Sequence, residues 1–457
     1  MTLREEAEWI MKCAIRDAQP DEAVARALKN KTFGNGKVLL VAIGKAAWQM
    51  AKSAITQCGS RIDGGIVITK YGHVQGNLYP LVCFEAGHPV PDDNTYLATE
   101  KALNLVSGLS EEDTVLFLIS GGGSALFEKP LVSSADMEDV TRQLLASGAD
   151  IVEMNTIRKR LSMVKGGRFA QLVKPARVYT IILSDILGDP PDMIASGPAY
   201  PDPSTCSMAQ QIIQKYHLSF SEKVMRCLQE ETPKTLDNVE TVVTGSVRGL
   251  CESAEKTLRD LGYDPFVLTA SLNCEARQAG SFLAAIAREK IHTDRNLAFL
   301  AGGETVVHLT GHGKGGRNQE IALSAAQGID GLDRVAVFSF GSDGTDGPTD
   351  AAGGFVTGRT AGRLRGEGML IPAILEDNNA YPALKLQPGH VSVQHEEGMA
   401  VRDVGIGQPQ GAGFAASDEV VAVVEAVALG RFLVGPDEVE RKGHFSDLRS
   451  VRPGVSG

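Results

Sequence analysis

KVLLVAIGKAAWQMAKSAIT, Lys37 to Thr56, decides the fold. The run from Lys37 to Ile43 carries no polar interruption after its first residue, the mark of a strand buried on both faces. Gly44 and Lys45 turn the chain, and Ala46 to Thr56 carries a helical pattern, giving a strand, tight loop, helix unit. Gly65 to Thr69, Thr114 to Ile119 and Val178 to Leu183 are further short β-rich runs separated by helical segments. That alternation predicts a doubly wound α/β domain built on a parallel sheet.

The pattern lapses over Glu231 to Glu240, ETPKTLDNVE, and restarts at Thr241. Two α/β domains are therefore expected, 1–234 and 235–380, with a cleft between them suited to a small molecule. Strands of the second unit are expected near Thr241 to Val243, Pro265 to Leu268, Leu297 to Leu300, Thr305 to Leu309 and Val335 to Phe340. Residues 381–457 form a tail of different, largely irregular character, in which Ser417 to Leu433 alone reads as a helix.

The 457 residues are 43% hydrophobic and 22% charged, with a formal net charge of −11, which argues against nucleic acid or an anionic membrane as partner. Seven cysteines lie scattered without a CxxC pair, so neither a zinc site nor a disulfide framework is expected. The opening MTLREEAEWIMKCAIRDAQP reads as an amphipathic helix and not as a signal or transit peptide. No apolar run reaches a membrane-spanning length, and a soluble cytoplasmic protein is expected.

Chemistry concentrates in glycine loops. AGGETVVHLTGHGKGGRNQE, Ala301 to Glu320, ends a strand-like run in a loop holding Gly311, Gly313, Lys314, Gly315, Gly316 and Arg317. Asn318 to Ala326 reads as a helix whose amino terminus would point into that loop, an arrangement suited to an anion. LFLISGGGSALF, Leu116 to Phe127, sets Ser120, Gly121, Gly122, Gly123 and Ser124 after a strand, where backbone N–H groups and hydroxyls can cradle phosphate. A tight turn requiring glycine is the competing reading of the Leu116 to Phe127 loop.

NTIRKRLSMVKGG, Asn155 to Gly167, spaces Arg158, Ser162 and Lys165 along one helical face, equally consistent with anion contacts or a solvated charged surface. Asp185, Asp189, Asp192 and Asp202 follow the strand ending at Leu183. The first two suit Mg²⁺, which takes one or two carboxylates with phosphate and water, and the last two read as turn formers. Asp343, Asp346 and Asp350 divide evenly between ligand loop and turn. Lys45, at a helix start where a cation is disfavoured, points to a nearby anion. The chain has no GxxxxGK[ST] or G-x-S-x-G motif, and His88, His308 and His312 read as core or turn residues.

Taken in order, GKAAWQMA at Gly44, EAGHPVPD at Glu85, ISGGGSALF at Ile119, NTIRKRLSMVKGGRFA at Asn155, LSDILGDPPDMIASGPAYPDPST at Leu183, GGETVVHLTGHGKGGRNQE at Gly302 and GSDGTDGPTDAAGG at Gly341 resemble the class II glycerate 2-kinase family. The resemblance runs from about Ala7 to Ala380 and implies an N-terminal Rossmann-like domain and a C-terminal MOFRL domain. It further implies ATP- and Mg²⁺-dependent phosphorylation of D-glycerate, usually at the 2-hydroxyl, in a soluble protein for which a homodimer is one expected assembly.

On this pattern Lys45 and Arg317 match the basic residues at the substrate and the transferred phosphoryl group. Ser120 to Ser124 and Gly313 to Gly316 would cradle phosphate, and Arg158 and Lys165 would add anion contacts. Asp185 and Asp189 would hold metal or orient the hydroxyl. The sequence departs from the family's closing pattern after Tyr381, as a reading-frame shift near Leu384 would produce. Two other activities fit parts of the pattern: an NAD(P)H-dependent hydroxypyruvate reductase, since Gly311, Gly313 and Gly316 spell GxGxxG, and a non-catalytic nucleotide-binding protein if the tail abolishes activity.

Overall fold

The computed structural model describes residues 2–184, 188–293, 295–342 and 344–386, with the backbone alone of 390–391 and 423–430. The expected first strand is β1, Val38–Ile43, and the whole of it is buried. Alternate residues serve opposite faces: Val41 and Ile43 join one apolar cluster with Phe117, Phe127 and Phe169, while Val38, Leu40 and Ala42 join another with Trp48 and Met50. A strand covered on both sides has no polar face to show, which is why its sequence reads as continuous.

With β2 (Gly64–Lys70), β3 (Leu81–Ala86), β4 (Thr114–Ile119), β5 (Arg177–Leu183) and β6 (Val239–Thr244), β1 forms a sheet of order β3-β2-β1-β4-β5-β6. All its pairings are parallel. The strand expected at Thr241 to Val243 is thus β6, and it closes this sheet instead of opening a second one. Its half-exposed residues are those of an edge, where sequence alone does not name the neighbour.

Gly245, at φ 63°, carries the chain out of β6, and Ser246 caps the helix Val247–Asp260. That helix packs with the opening helix Leu3–Ala18 against the second sheet. Tyr263 donates to Glu6 Oε2 (2.6 Å) and Ser253 to Asp17 Oδ2 (2.7 Å), so the first residues of the chain are joined to the second sheet. On sheet membership we propose that the division between domains lies at Gly245, not at 234/235, with Leu3–Ala18 counted to the second unit.

The second sheet contains β7 (Asp264–Leu272), β8 (Leu297–Gly303), β9 (Val335–Phe340), β10 (Gly353–Thr357), β11 (His390–Val391) and β12 (Val423–Gly430), in the order β11-β10-β9-β12-β8-β7. Only β7 and β8 run parallel, and the sheet is mixed. Thr305 to Leu309 is not a strand: it makes one isolated bridge, Val306 to Glu275, and Leu309 is 82% exposed. Within Ser417 to Leu433, the expected helix gives way to β12, because the slot between β8 and β9 offers backbone partners on both sides and overrides local propensity. The described parts of the tail, including the helix Ala380–Leu386, are likewise regular.

Candidate active site

The carboxyl ends of β1 and β4 are drawn together by Gly44. Its φ is 110°, and a Cβ there would lie 2.3 Å from Ser120 Oγ. Glycine therefore lets the two strand-end loops touch. Lys45 N–H donates to Gly121 O (2.8 Å), and Ala46 N–H to Ser120 Oγ (3.0 Å), which itself donates to Ile43 O (3.3 Å). Ser120 is only 1% exposed. Its hydroxyl brackets the loops and is not offered to a phosphate, correcting the expectation.

Gly122 marks where side chains converge. At φ 80°, it sits where a Cβ would come within 2.9 Å of the His88 ring and 3.2 Å of Lys45 Cγ. The Lys45 carbonyl accepts from Thr69 Oγ1 (3.2 Å) and lies 3.1 Å from His73 Nδ1. Burial pushes the His88 imidazole down to about 4, with Lys45, Lys70 and His73 adding to the shift, and burial likewise lowers His73. Lys45 and Lys70 thus set positive charge around the His88 ring. Among the described residues neither ring nitrogen of His88 has a hydrogen-bond partner, so the reading of His88 as a satisfied turn histidine is corrected.

Gly123 and Ser124 meet the loop Met193 to Gly197. A Cβ on Gly123 would lie 2.7 Å from Ala195 Cβ. Ala195 and Ser196 hold φ of 50° and 60°, a left-handed conformation uncommon for non-glycine residues. Ser124 Oγ and Ser196 Oγ are 3.1 Å apart, and Ser196 Oγ reaches Asn155 Oδ1 at 3.4 Å. Asn155 and Arg158 lie one turn apart on the helix Ile151–Arg160. The Arg158 Nε is buried without a hydrogen-bond partner in the described structure. Ser196 and Asn155, which no sequence motif singles out, are thus brought to the Ser124 loop.

That helix stops at Arg160, so Arg158, Ser162 and Lys165 do not share a helical face. Lys165 is wholly buried, donates to Ser124 O (2.7 Å) and pairs with Glu128 Oε2 at 3.3 Å. It anchors the Ser124 loop from beneath and is not an open anion contact, which corrects its expected role. Asp192 and Asp202 are ion-paired to Lys159, each at 3.3 Å, in keeping with a structural reading. Asp189 is half-buried at φ 55°, and among the described residues its carboxylate has no hydrogen-bond or ion-pair partner. Asp185 and Asp343 lie outside the described residues. Within those residues no group of three or more His, Cys, Asp or Glu side chains is placed to hold a metal.

The second cluster stands at the carboxyl ends of β8 and β9, and its glycine loop is used differently from expectation. Thr310 and Gly311 N–H donate to Asn378 Oδ1 (2.7 and 2.9 Å), His312 to Asp377 Oδ1 (3.2 Å), Gly313 to Asp377 O (2.8 Å) and Lys314 to Asn379 Oδ1 (3.0 Å). These donors are engaged by the Asp377-Asn378-Asn379 segment and do not form a phosphate cradle. The glycines permit that contact: a Cβ on Gly311 would lie 2.3 Å from Asp377 Cα, one on Gly313 2.4 Å from Asn379 Cβ and one on Gly315 3.2 Å from Ala380 N. Lys314 is exposed, its Nζ 4.9 Å from the centre of the Tyr381 ring.

Nor is the helix Arg317–Gly328 open at its start. Asp346 fills the space a Gly316 side chain would need, and its carboxylate accepts from Asn318 N (3.1 Å), Asn318 Nδ2 (3.1 Å) and Gln319 N (2.9 Å). Arg317, the first residue of the helix, projects a quarter-exposed side chain whose NH1 meets Glu304 Oε1 at 3.1 Å.

Burial raises Asp346 to about 6 against an ordinary 3.8. Between those values the folded chain holds more proton than the unfolded one, so this group's contribution to stability falls as pH rises through the window. Accordingly, the melting temperature of the wild type minus that of Asp346→Asn is expected to grow by a few degrees as pH drops from about 7 to about 5. A difference that is flat, or grows with rising pH, contradicts this.

A cavity of about 790 Å³ lined by Arg4, Arg334, Phe355, Arg359 and Arg363 lies at the amino end of β9, away from both clusters.

Family models match two stretches: a domain of unknown function, DUF4147, over 6–229, and the MOFRL family over 297–401. The D-glycerate 2-kinase of Thermotoga maritima is 48% identical over 412 residues, covering 89% of this chain and 98% of its own length. The chain belongs to the class II glycerate kinase family. The crystal structure of a Thermotoga maritima glycerate kinase superposes on this class II glycerate kinase chain with a TM-score of 0.82 at 45% identity, covering 94% of this chain and 99% of the other. A putative hydroxypyruvate reductase of Agrobacterium vitis is 37% identical over 404 residues, covering 84% of this chain and 90% of its own. The MOFRL match also runs past Ala380, where the resemblance was expected to end.

Proposed function

We propose that this chain transfers the γ-phosphoryl group of ATP to the 2-hydroxyl of D-glycerate, with the two clusters as the halves of one site. The class II glycerate kinases are ATP-dependent kinases of glycerate, and this chain is one of them. The observation that carries the reading is the convergence of Lys45 and His88 on Gly122 at the carboxyl end of β1, with Lys70 adding positive charge, where open α/β sheets bind ligands.

Phosphoryl transfer asks chiefly for positioning and for neutralisation of negative charge. Lys45 supplies a cation whose side chain has no ion-pair partner among the described residues. Ser124 meets the loop strained at Ala195 and Ser196, Arg158 stands one turn along the helix from Asn155, and Arg317 supplies a guanidinium fork from the second sheet. The Asp189 carboxylate, unpaired among the described residues, suits Mg²⁺, and Asp189 with Asp185 would hold it. The ion would neutralise the phosphate oxygens of ATP.

The reductase reading loses its motif, because Gly311 and Gly313 donate to the Asp377 to Asn378 segment and not to a pyrophosphate. Incubation with ATP, Mg²⁺ and D-glycerate, followed by phosphorus NMR, is expected to give 2-phosphoglycerate. Formation of 3-phosphoglycerate refutes the regiochemistry. Oxidation of NADH by hydroxypyruvate with no ADP formed from glycerate refutes the kinase reading.

A further inference from the structure

We propose that His88 accepts the proton of the acceptor hydroxyl during phosphoryl transfer. The inference rests on the kinase reading above and assigns a role to a residue that stands inside the EAGHPVPD motif but to which the resemblance gives none. Three observations meet at this side chain. The ring is half-buried, yet among the described residues neither nitrogen has a hydrogen-bond partner, whereas nearby His73 is tied to the Lys45 carbonyl. It stands against Gly122, at a position no larger residue can occupy without striking the ring, so the loop is shaped around it. Burial first, and then the charged and titratable groups that face it, Lys45, Lys70 and His73, keep the imidazole neutral and leave it an acceptor at working pH.

A neutral imidazole beside a cation fits the step. As the hydroxyl oxygen bonds to the γ-phosphorus, the bond from that phosphorus to the β,γ-bridging oxygen breaks and ADP departs with the electron pair. The hydroxyl proton passes to the free nitrogen of His88 and then to solvent. In a loose transition state the nucleophile acidifies late, once its bond to phosphorus is forming, so a weak base suffices. Lys45 attracts the phosphoryl group and disfavours a standing imidazolium, returning His88 to its neutral form for the next turnover.

The test uses the full chain and follows ADP and phosphoglycerate together. His88→Ala and His88→Gln are expected to lower kcat on the order of 100-fold, with KM for ATP and melting temperature little changed. Added imidazole should restore His88→Ala at least about tenfold, which a structural role would not allow. Lys70→Met removes a facing cation, raises the pKa of His88 and should move the acid limb of kcat/KM upward in pH. Retention of kcat within about threefold in His88→Gln overturns the assignment. So does an absence of imidazole rescue in a His88→Ala protein of native melting temperature. If the wild type makes no phosphoglycerate, the kinase reading fails first and the inference falls with it.

Discussion

Arg317→Ala is expected to lower kcat by roughly 10³-fold, the scale on which a transition-state arginine acts in phosphoryl transfer. The side chain leaves the first residue of a helix that Asp346 holds at three points, so its origin is fixed while its end remains a quarter exposed. Its partner at 3.1 Å, Glu304, is itself a third exposed, and such a pair contributes little to stability, about 1 kcal/mol or less. Activity and melting temperature should therefore separate: the variant loses turnover and melts within a few degrees of the wild type. Arg317→Lys should recover little, because a lysine lacks the planar fork that meets two phosphoryl oxygens together. Glu304→Gln is the contrasting variant, since it removes one carboxylate that competes for the guanidinium and leaves the guanidinium itself intact, and turnover should survive. Measurement of kcat for all three, beside thermal melts, decides the matter. Near-normal turnover in Arg317→Ala removes the residue from the phosphoryl site.

How much of this was legible follows from the range of the interactions involved. The strands at Val38, Thr114 and Val178 announce themselves because each is covered on both faces, and burial on both faces writes a continuous apolar run. β6 does not name its sheet, since an edge strand shows the same few residues whichever neighbour it pairs with. The glycine loops show the same divide. Sequence reveals that Gly311, Gly313 and Gly316 are required, but a glycine serves equally for an approaching phosphate and for an approaching chain. What approaches Gly311 and Gly313 is Asp377 to Asn379, some 65 residues downstream, and what approaches Gly316 is Asp346. His88 is opaque for a related reason: whether a histidine is satisfied depends on what lies within hydrogen-bond reach, and that is set by the meeting of three loops. Lys165 illustrates the reverse error. It reads as a surface cation on a helix, and only the stop at Arg160 and the pairing with Glu128 turn it inward.

Lys165→Met is expected to cost about 3–5 kcal/mol, the range for breaking a buried ion pair by removing one partner. Lys165 and Glu128 are 0% and 2% exposed in their side chains, so neither can turn to water when the other is lost. Glu128 would keep only the Ser162 hydroxyl on its Oε1 (2.5 Å), and its Oε2 already lacks a hydrogen bond. Burial lowers the Lys165 pKa, with Glu128 opposing the shift, so the ammonium depends on its carboxylate partner to remain charged there. A drop in melting temperature of roughly 10 °C follows for the unit that contains β4. Turnover should fall as well, since the ammonium also fixes the Ser124 and Phe127 carbonyls and thereby the loop that carries Gly122 and Gly123. The double replacement Lys165→Met with Glu128→Gln separates the two effects. Replacing both charges removes the stranded carboxylate and should recover much of the melting temperature. The Ser124 carbonyl would still lack its donor, so turnover should stay low. If the double variant melts as poorly as Lys165→Met alone, the stranded charge is not the cause. If Lys165→Met turns over normally, the loop does not depend on this anchor.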